Sequence, residues 1–376
     1  VDFELSDERR MLHDTAARFL RERYPIAARH ANAAQPEGFS RDMWAEFADL
    51  GLIGALLPPE VGGFGGLGED IAVVFEALGR ALAVEPFLAS GILGATPLAL
   101  AGSPLQRALL SEVIAGDLTL ALAHGEPDGR YALSHVATAA TEAGGVWRLN
   151  GRKAMAINGD SADRLVISAR VSSAVDAPDG IGLFLLDAAG PGVARRGYGT
   201  VEGGRAAEVT LTDAPAEPVG APGEGFATLE LTLARGTLAL CAEAVGLMEV
   251  CKDATLDYLK TRTQFGRPIG AFQALQHRMV EMVIDIEMTR SAVMLAAGTF
   301  EGERLARERH VAAAKHLVGR AGRSVAEETI QMHGGIAMTW ECPVAHYAKR
   351  LVMIDHLLGD ADAQLDRFIA LGREDA

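Results

Sequence analysis

The sequence predicts an α+β fold, mostly α, arranged as a helical domain over residues 1–116, a β domain over 117–222 and a helical bundle over 223–376. Three observations predict it. Apolar residues recur at helical spacing in the first third, give way to short runs between Gly, Pro and Asp, and return to long helical periodicity after Gly225. At 376 residues the chain exceeds what one simple core covers, which fits two or three domains. Hydrophobic residues make up 49% of it, enough to bury a large and mainly helical core.

In the first domain Ser6 reads as the N-cap of a helix from Asp7 to Arg23, with Met11, Leu12, Phe19 and Leu20 on its apolar face. Ser40 caps a second segment, where Met43, Trp44, Phe47 and Leu50 form a stripe before Gly51. Pro58-Pro59 and the glycines from Gly62 to Gly68 make a loop, and helical pattern resumes from Asp70 to about Ala83.

In the middle domain Val146 to Leu149 and Arg152 to Ile157 flank Asn150-Gly151, a turn dipeptide that predicts a β-hairpin. Arg164 to Val171, Ile181 to Leu186 and Ala207 to Leu211 are further strands. Beyond Gly225, a helix from Leu229 to Arg262 places Val245, Met248, Cys251, Thr255 and Tyr258 on one face. A second, Phe272 to Phe300, turns Leu275, Met279, Ile286 and Val293 inward. A third ends near Met332 at Gly334-Gly335, and a fourth begins near Pro343. Four antiparallel helices with short connections predict a four-helix bundle.

The net charge of −15 argues against general affinity for nucleic acid or an anionic membrane. A dinucleotide could still be held by a few placed Arg side chains and backbone N–H groups. Cys241, Cys251 and Cys342 lie far apart in apolar helical patterns, the usage of a reduced intracellular protein. No bilayer-spanning run or basic leader stands out, and the acidic opening Val1-Asp2-Phe3-Glu4 would make a poor transit peptide. The expected location is the cytoplasm.

Gly63-Phe64-Gly65-Gly66-Leu67-Gly68 satisfies the dinucleotide fingerprint G-x-G-x-x-G, but Pro58-Pro59-Glu60 precedes it instead of a strand, so it reads as a loop. The ten His form no zinc pattern, and no metal site is expected. No G-x-S-x-G elbow supports a serine hydrolase. The richest segment runs from Tyr258 to Gln273 and includes Arg262, Gln264-Phe265-Gly266, Arg267-Pro268 and Phe272-Gln273. An Arg at a helix end, a tight loop and a second helix start would set a cation beside free backbone donors, which suits a pyrophosphate. The same residues also fit an inter-helix loop with a solvated Arg. Gln331-Met332-His333-Gly334-Gly335 is a second such loop, fitting a helix C-cap or a close ligand approach.

Together these segments resemble the acyl-CoA dehydrogenase family over nearly the whole chain. Pro59-Glu60-Val61-Gly62-Gly63 resembles its first-domain loop, Ile114 to Pro127 the entry to its β domain, and Lys153 to Gly159 its flavin-side strand. The resemblance implies a helical domain, a β-barrel-like middle domain and a four-helix bundle, assembled as dimers or tetramers with FAD across a subunit interface. It implies that Arg262 and Gln273 contact the pyrophosphate and that Phe265 packs near the adenine. Gln264 and Phe272 belong to the same motif, and Gln331, His333, Gly334 and Gly335 supply polar and backbone contacts. The implied chemistry is α,β-dehydrogenation of an acyl-CoA thioester: a carboxylate removes the α-proton while the β-hydrogen leaves as hydride to the flavin.

The chain departs from that pattern at the base. The family's late Tyr-Glu-Gly-Thr segment aligns with Leu357-Leu358-Gly359-Asp360, so Leu358 replaces the Glu. A second branch carries its Glu on the first bundle helix, at a place that falls near Gly236. Glu230, Glu243 and Asp360 are the nearest carboxylates. On the flavin side, Thr-Glu-Pro reads Gly125-Glu126-Pro127 and Trp-Ile-Thr reads Met155-Ala156-Ile157. Motifs that reach a neighbour's FAD are retained while the chain's own are eroded.

That asymmetry resembles the small or β-type subunits of heteromeric members acting on pimeloyl-type or steroid side-chain thioesters. The expectation is therefore a subunit that completes the FAD site of a homologous partner. A self-sufficient homo-oligomer using Glu230 or Asp360, or a non-catalytic structural subunit, are the alternatives.

Overall fold

The computed structural model describes residues 5–374, so the opening Val1-Asp2-Phe3-Glu4 lies outside the described residues. Helices α1 (Asp7–Arg23), α2 (Ile26–Ala33), α3 (Arg41–Asp49), α4 (Gly68–Ala81), α5 (Ala95–Ala101) and α6 (Pro104–Ile114) fill the first third, with a buried π-helical stretch at Phe87–Gly94. The two expected caps are present: the Ser6 and Ser40 hydroxyls accept from the N–H groups of Arg9 and Met43. Trp44 and Phe47 are fully buried and meet Phe87 edge-on, with ring centroids 4.9 and 5.1 Å away.

The G-x-G-x-x-G segment is a packed loop. Its N–H groups at Gly63, Phe64, Gly65 and Gly66 donate to the carbonyls of Pro58, Gly54, Leu57 and Ala55. Arg235 adds donors to the Gly66 and Leu56 carbonyls. Amides already satisfied by their own chain leave nothing to cradle a phosphate.

Strands β1 (Leu120–Ala123), β2 (Ala139–Ala143), β3 (Val146–Ile157), β4 (Arg164–Arg170), β5 (Ile181–Asp187), β6 (Val193–Gly199) and β7 (Arg205–Val219) form one sheet. It runs β4-β2-β3-β7-β5 and closes through a β4–β5 pairing, giving the expected barrel-like domain. Leu149, Leu165, Phe184, Val209 and Leu211 are among its core.

Asn150-Gly151 is not a hairpin turn. It sits inside the twelve-residue β3, at a register shift between Leu149 and Gly151. The turn lies earlier, at Gly144-Gly145, where both residues take positive φ (62° and 79°) and Ala143 pairs with Val146. A two-residue turn of that hand matches the twist of the strands, and Gly-Gly meets it without steric cost. At Gly151 a Cβ would fall 2.5 Å from the Thr138 hydroxyl, so this glycine serves close approach.

The C-terminal part comprises α7 (Phe226–Thr261), a two-stranded hairpin β8 (Thr263–Gln264) and β9 (Arg267–Pro268), α8 (Gln273–Gly298), α9 (Arg304–His333), α10 (Pro343–His356) and α11 (Ala361–Glu374). The helix α11 extends the expected four-helix bundle, and α9 packs on α8, α10 and α11. By length and composition α7 could cross a membrane, but 83% of its apolar window is buried within the protein.

By backbone contacts the chain divides into two compact units. One holds residues up to Arg29, Leu67–Ala83 and Thr237 onward, the other His30–Gly66 and Val84–Gly236.

Candidate functional site

The two glycine-containing loops leave the bundle at the same end. Tyr258, one turn before the end of α7, stacks on His333, the last residue of α9, with centroids 4.6 Å apart and planes at 25°. Arg262 follows one turn after Tyr258, and its N–H donates to the Tyr258 carbonyl at 2.8 Å. Its own carbonyl accepts from Ile269 at 2.9 Å, so the hairpin folds back directly onto the helix end.

Phe265 and Gly266 are the central residues of that hairpin, with φ of 53° and 78°. A bulky residue at positive φ is strained, and Phe265 is also 91% exposed. Its ring meets Phe272 edge-on at 6.1 Å, while the Arg267 guanidinium lies 4.1 Å over the same Phe272 ring. Gln273 opens α8 and is exposed, and the Gln264 side chain donates to the Thr263 carbonyl.

Beyond α9, Gly334 takes φ 72° and ψ −152°, a region open essentially to glycine alone. Added Cβ atoms at Gly266, Gly334 and Gly335 would meet nothing within 4 Å, so no packing demands these glycines. They leave backbone open to a ligand. Gln331 is exposed beside them. Among the described residues the Arg262, Gln273 and Gln331 side chains make no hydrogen bond or ion pair. Ile336, Met338 and Trp340, which follow the glycine pair, are exposed apolar residues, as is Phe265 in the hairpin.

This end of the bundle thus carries an unpaired guanidinium, two unpaired amides, open glycine backbone and the N-terminal end of α8, groups whose chemistry suits an anion. His333 differs from the others: it is buried, and its Nδ1 lies 2.8 Å from the Thr329 carbonyl. A carbonyl only accepts, so Nδ1 carries the proton and serves the helix itself.

Two of the three substitute carboxylates, Glu243 and Asp360, have partners within the bundle. Leu358 adopts φ 56° in a loop whose carbonyls are bound by side chains: Gln364 donates to the Leu358 carbonyl (2.8 Å) and buried Lys315 to that of Gly359 (2.6 Å). Asp360 caps α11, its carboxylate accepting from the Ala363 N–H at 2.9 Å. Glu243 makes a two-pronged pair with Arg350 at 2.6 and 2.8 Å. Glu230 lies on α7 with 4% exposure.

The β unit holds a second, buried cluster around two residues of the flavin-side motifs. The Lys153 ammonium donates to Glu126 (2.6 Å), the Ser168 hydroxyl (3.1 Å) and the His124 carbonyl (3.2 Å). Glu126 also accepts from Ala137 N, Thr138 N and the Thr138 hydroxyl. Burial pushes Lys153 down to about 8. Burial pushes Glu126 the other way, but the Lys153 charge and these donors hold it at about 2. Burial, then the Lys153 charge, lowers His124 to about 3. The cluster pins β3 just before a β-bulge that turns out Met155, at φ 56°. No group of three or more His, Cys, Asp or Glu able to hold a metal occurs among the described residues.

Tyr258, Glu126 and Lys153 lie inside longer sequence motifs, but their partners are far along the chain and no spacing marks the pairings. Helix α11 was signalled by Asp360 ahead of apolar Leu365, Phe368 and Ile369.

A helical domain, a barrel-like β domain and a helical bundle in this order make the scaffold of a flavin-dependent dehydrogenase. The N-terminal, middle and C-terminal domain models of acyl-CoA dehydrogenase match residues 6–117, 121–214 and 223–369. The chain belongs to the acyl-CoA dehydrogenase family, with acyl-CoA dehydrogenation as its activity and FAD as its cofactor. It is 33% identical over 348 residues to "Acyl-CoA dehydrogenase FadE27" of Mycobacterium tuberculosis, covering 89% of this chain and 88% of that one. Among solved structures, the "Tcur3481-Tcur3483 steroid ACAD" superposes with TM-score 0.89 at 31% identity, covering 98% of each chain. The "ChsE4-ChsE5 complex" of Mycobacterium tuberculosis superposes with TM-score 0.88 at 29% identity, covering 100% of this chain and 98% of that one.

Proposed function

We propose that this chain is one subunit of a heteromeric acyl-CoA dehydrogenase, completing an FAD site whose flavin pocket and catalytic carboxylate belong to a homologous partner. The observation that carries the reading is an imbalance. The outward loops keep Arg262, Phe265, Gln273, Gln331 and the Gly334-Gly335 turn, while the family resemblance aligns Leu358 with one place for the base and puts the other near Gly236. The engagement of Asp360 as a helix cap and of Glu243 with Arg350 weighs against a relocated base.

In this reading Arg262 and Gln273 hold the diphosphate. Phe265 and Phe272 line the adenine side, with Gln264 in the same hairpin, and Gln331 to Gly335 give polar and backbone contacts. FAD, when bound, supplies the two-electron acceptor. This chain's residues bind and orient it and exclude water, and the partner's carboxylate takes the α-proton. Exposed Val280, Ile284 and Met288 make α8 apolar on its outer side as well as its inner one, as expected of a helix covered on both faces in an assembly. The resemblance to a structure described as a complex and to a steroid ACAD supports a two-protein enzyme. It also makes a steroid-derived CoA thioester the first substrate to assay.

The test is flavin content. Purified alone, the chain is expected to be flavin-poor. Co-expressed with a base-containing homologue, it is expected to give a yellow complex that reduces dye with acyl-CoA. Stoichiometric FAD and dehydrogenase turnover from the single chain contradict the proposal.

A further inference from the structure

We propose that Tyr258 and His333 are positioning residues: their stacked rings clamp the ends of α7 and α9 so that Arg262 and the Gly334-Gly335 turn face one diphosphate together. The inference rests on the reading of those loops as an FAD site and adds what sets its geometry.

The problem the clamp solves is electrostatic. Both α7 and α9 present C-terminal ends here, and each carries roughly half a negative charge, the wrong sign for a phosphate. Anion binding therefore depends on holding the Arg262 guanidinium and the N-terminal end of α8 closer to the ligand than the helix ends. Arg262 has no side-chain partner among the described residues to fix it. Its placement comes through the backbone, from Tyr258, whose carbonyl accepts the Arg262 N–H at 2.8 Å.

On the other side, His333 is fixed by its helix, Nδ1 donating to the Thr329 carbonyl at 2.8 Å. Gly334 follows immediately, with its N–H on the Ile330 carbonyl. Each ligand-facing element is thus at most one turn from a stacked ring, and the rings meet at 4.6 Å. A stacked pair of this kind shifts an equilibrium by roughly three- to tenfold. The imidazole itself is buried and already engaged, so it acts through the loop it precedes.

The experiment is titration of FAD, and separately of ADP, into the flavin-stripped assembled enzyme, with its melting temperature recorded. His333→Ala and Tyr258→Leu are each expected to weaken both ligands by roughly tenfold, with a fall in melting for the buried His333→Ala and little change for the half-buried Tyr258→Leu. The double variant is expected to be no weaker than about either single one, because both remove one interaction. His333→Phe, which keeps a ring, is expected to stay within about threefold of wild type. Should His333→Ala not assemble, Tyr258→Leu against His333→Phe decides the same question. Wild-type affinity in Tyr258→Leu, or a His333→Phe variant as weak as His333→Ala, overturns the clamp. Wild-type affinity in Arg262→Ala instead overturns the FAD-site reading on which the clamp rests.

Discussion

Lys153 in the β unit and Arg262 at the end of α7 are both cations in a chain of net charge −15, yet their surroundings are opposite. Lys153 is fully buried with three acceptors within 3.2 Å. Arg262 is exposed with no side-chain partner among the described residues. A buried charge left unpaired is costly, so every group around Lys153 is answered from within the domain. An exposed guanidinium costs little to leave open, so the bundle end can keep its binding groups free for something outside the chain. The internal network is satisfied within the fold, and the external loops are the ones left open for the proposed binding.

Substitutions can break that contrast, beginning with the buried side. Lys153→Met strands Glu126 and is expected to lower the unfolding free energy by roughly 3–5 kcal/mol in denaturant titration. An effect below 1 kcal/mol would mean the cluster is not the strut described.

Glu126→Gln is expected to cost about 2 kcal/mol at pH 7, with a pH signature. Glu126 is held at about 2 in the folded chain, below its ordinary value, so its contribution is full above that ordinary value and is lost as pH falls through about 2. The gap between variant and wild type should therefore narrow below about pH 4, as denaturation curves across pH would record. A gap that widens on acidification contradicts the assignment.

Asp360→Asn tests the relocated base. Loss of cap charge should cost under about 1 kcal/mol, and turnover of the assembled enzyme should stay within about twofold. A large fall in turnover without loss of stability would return Asp360 to catalysis. Smallest of all, burial pushes the Cys241 and Cys251 thiols up to about 12, so a thiol reagent at pH 8 should modify the part-exposed Cys342 first. Mass spectrometry of the labelled peptides checks the order.

Much of this was legible in the sequence, because it depends on local rules. Ser6 and Ser40 cap as read, and the start of the third bundle helix's terminal glycine pair is where its pattern stops. Asn150-Gly151 misled because the dipeptide favours a turn only when the strands' pairing partners permit it. Here β3 pairs with β2 before it and with β7 along its length, and Gly144-Gly145 supplies the shorter connection. Asp360 looked like a spare carboxylate until α11 gave it an N–H to accept from. The Tyr258–His333 stack joins residues 75 positions apart, a distance no periodicity spans. The Lys153–Glu126 pair was hidden likewise, each residue lying in a different motif.

The most direct measurement is FAD affinity of the complex formed by Arg262→Ala of this chain with an unaltered partner. The account predicts binding weaker by about 10- to 100-fold, with the melting temperature of the flavin-free complex nearly unchanged. Wild-type affinity in that complex would contradict it.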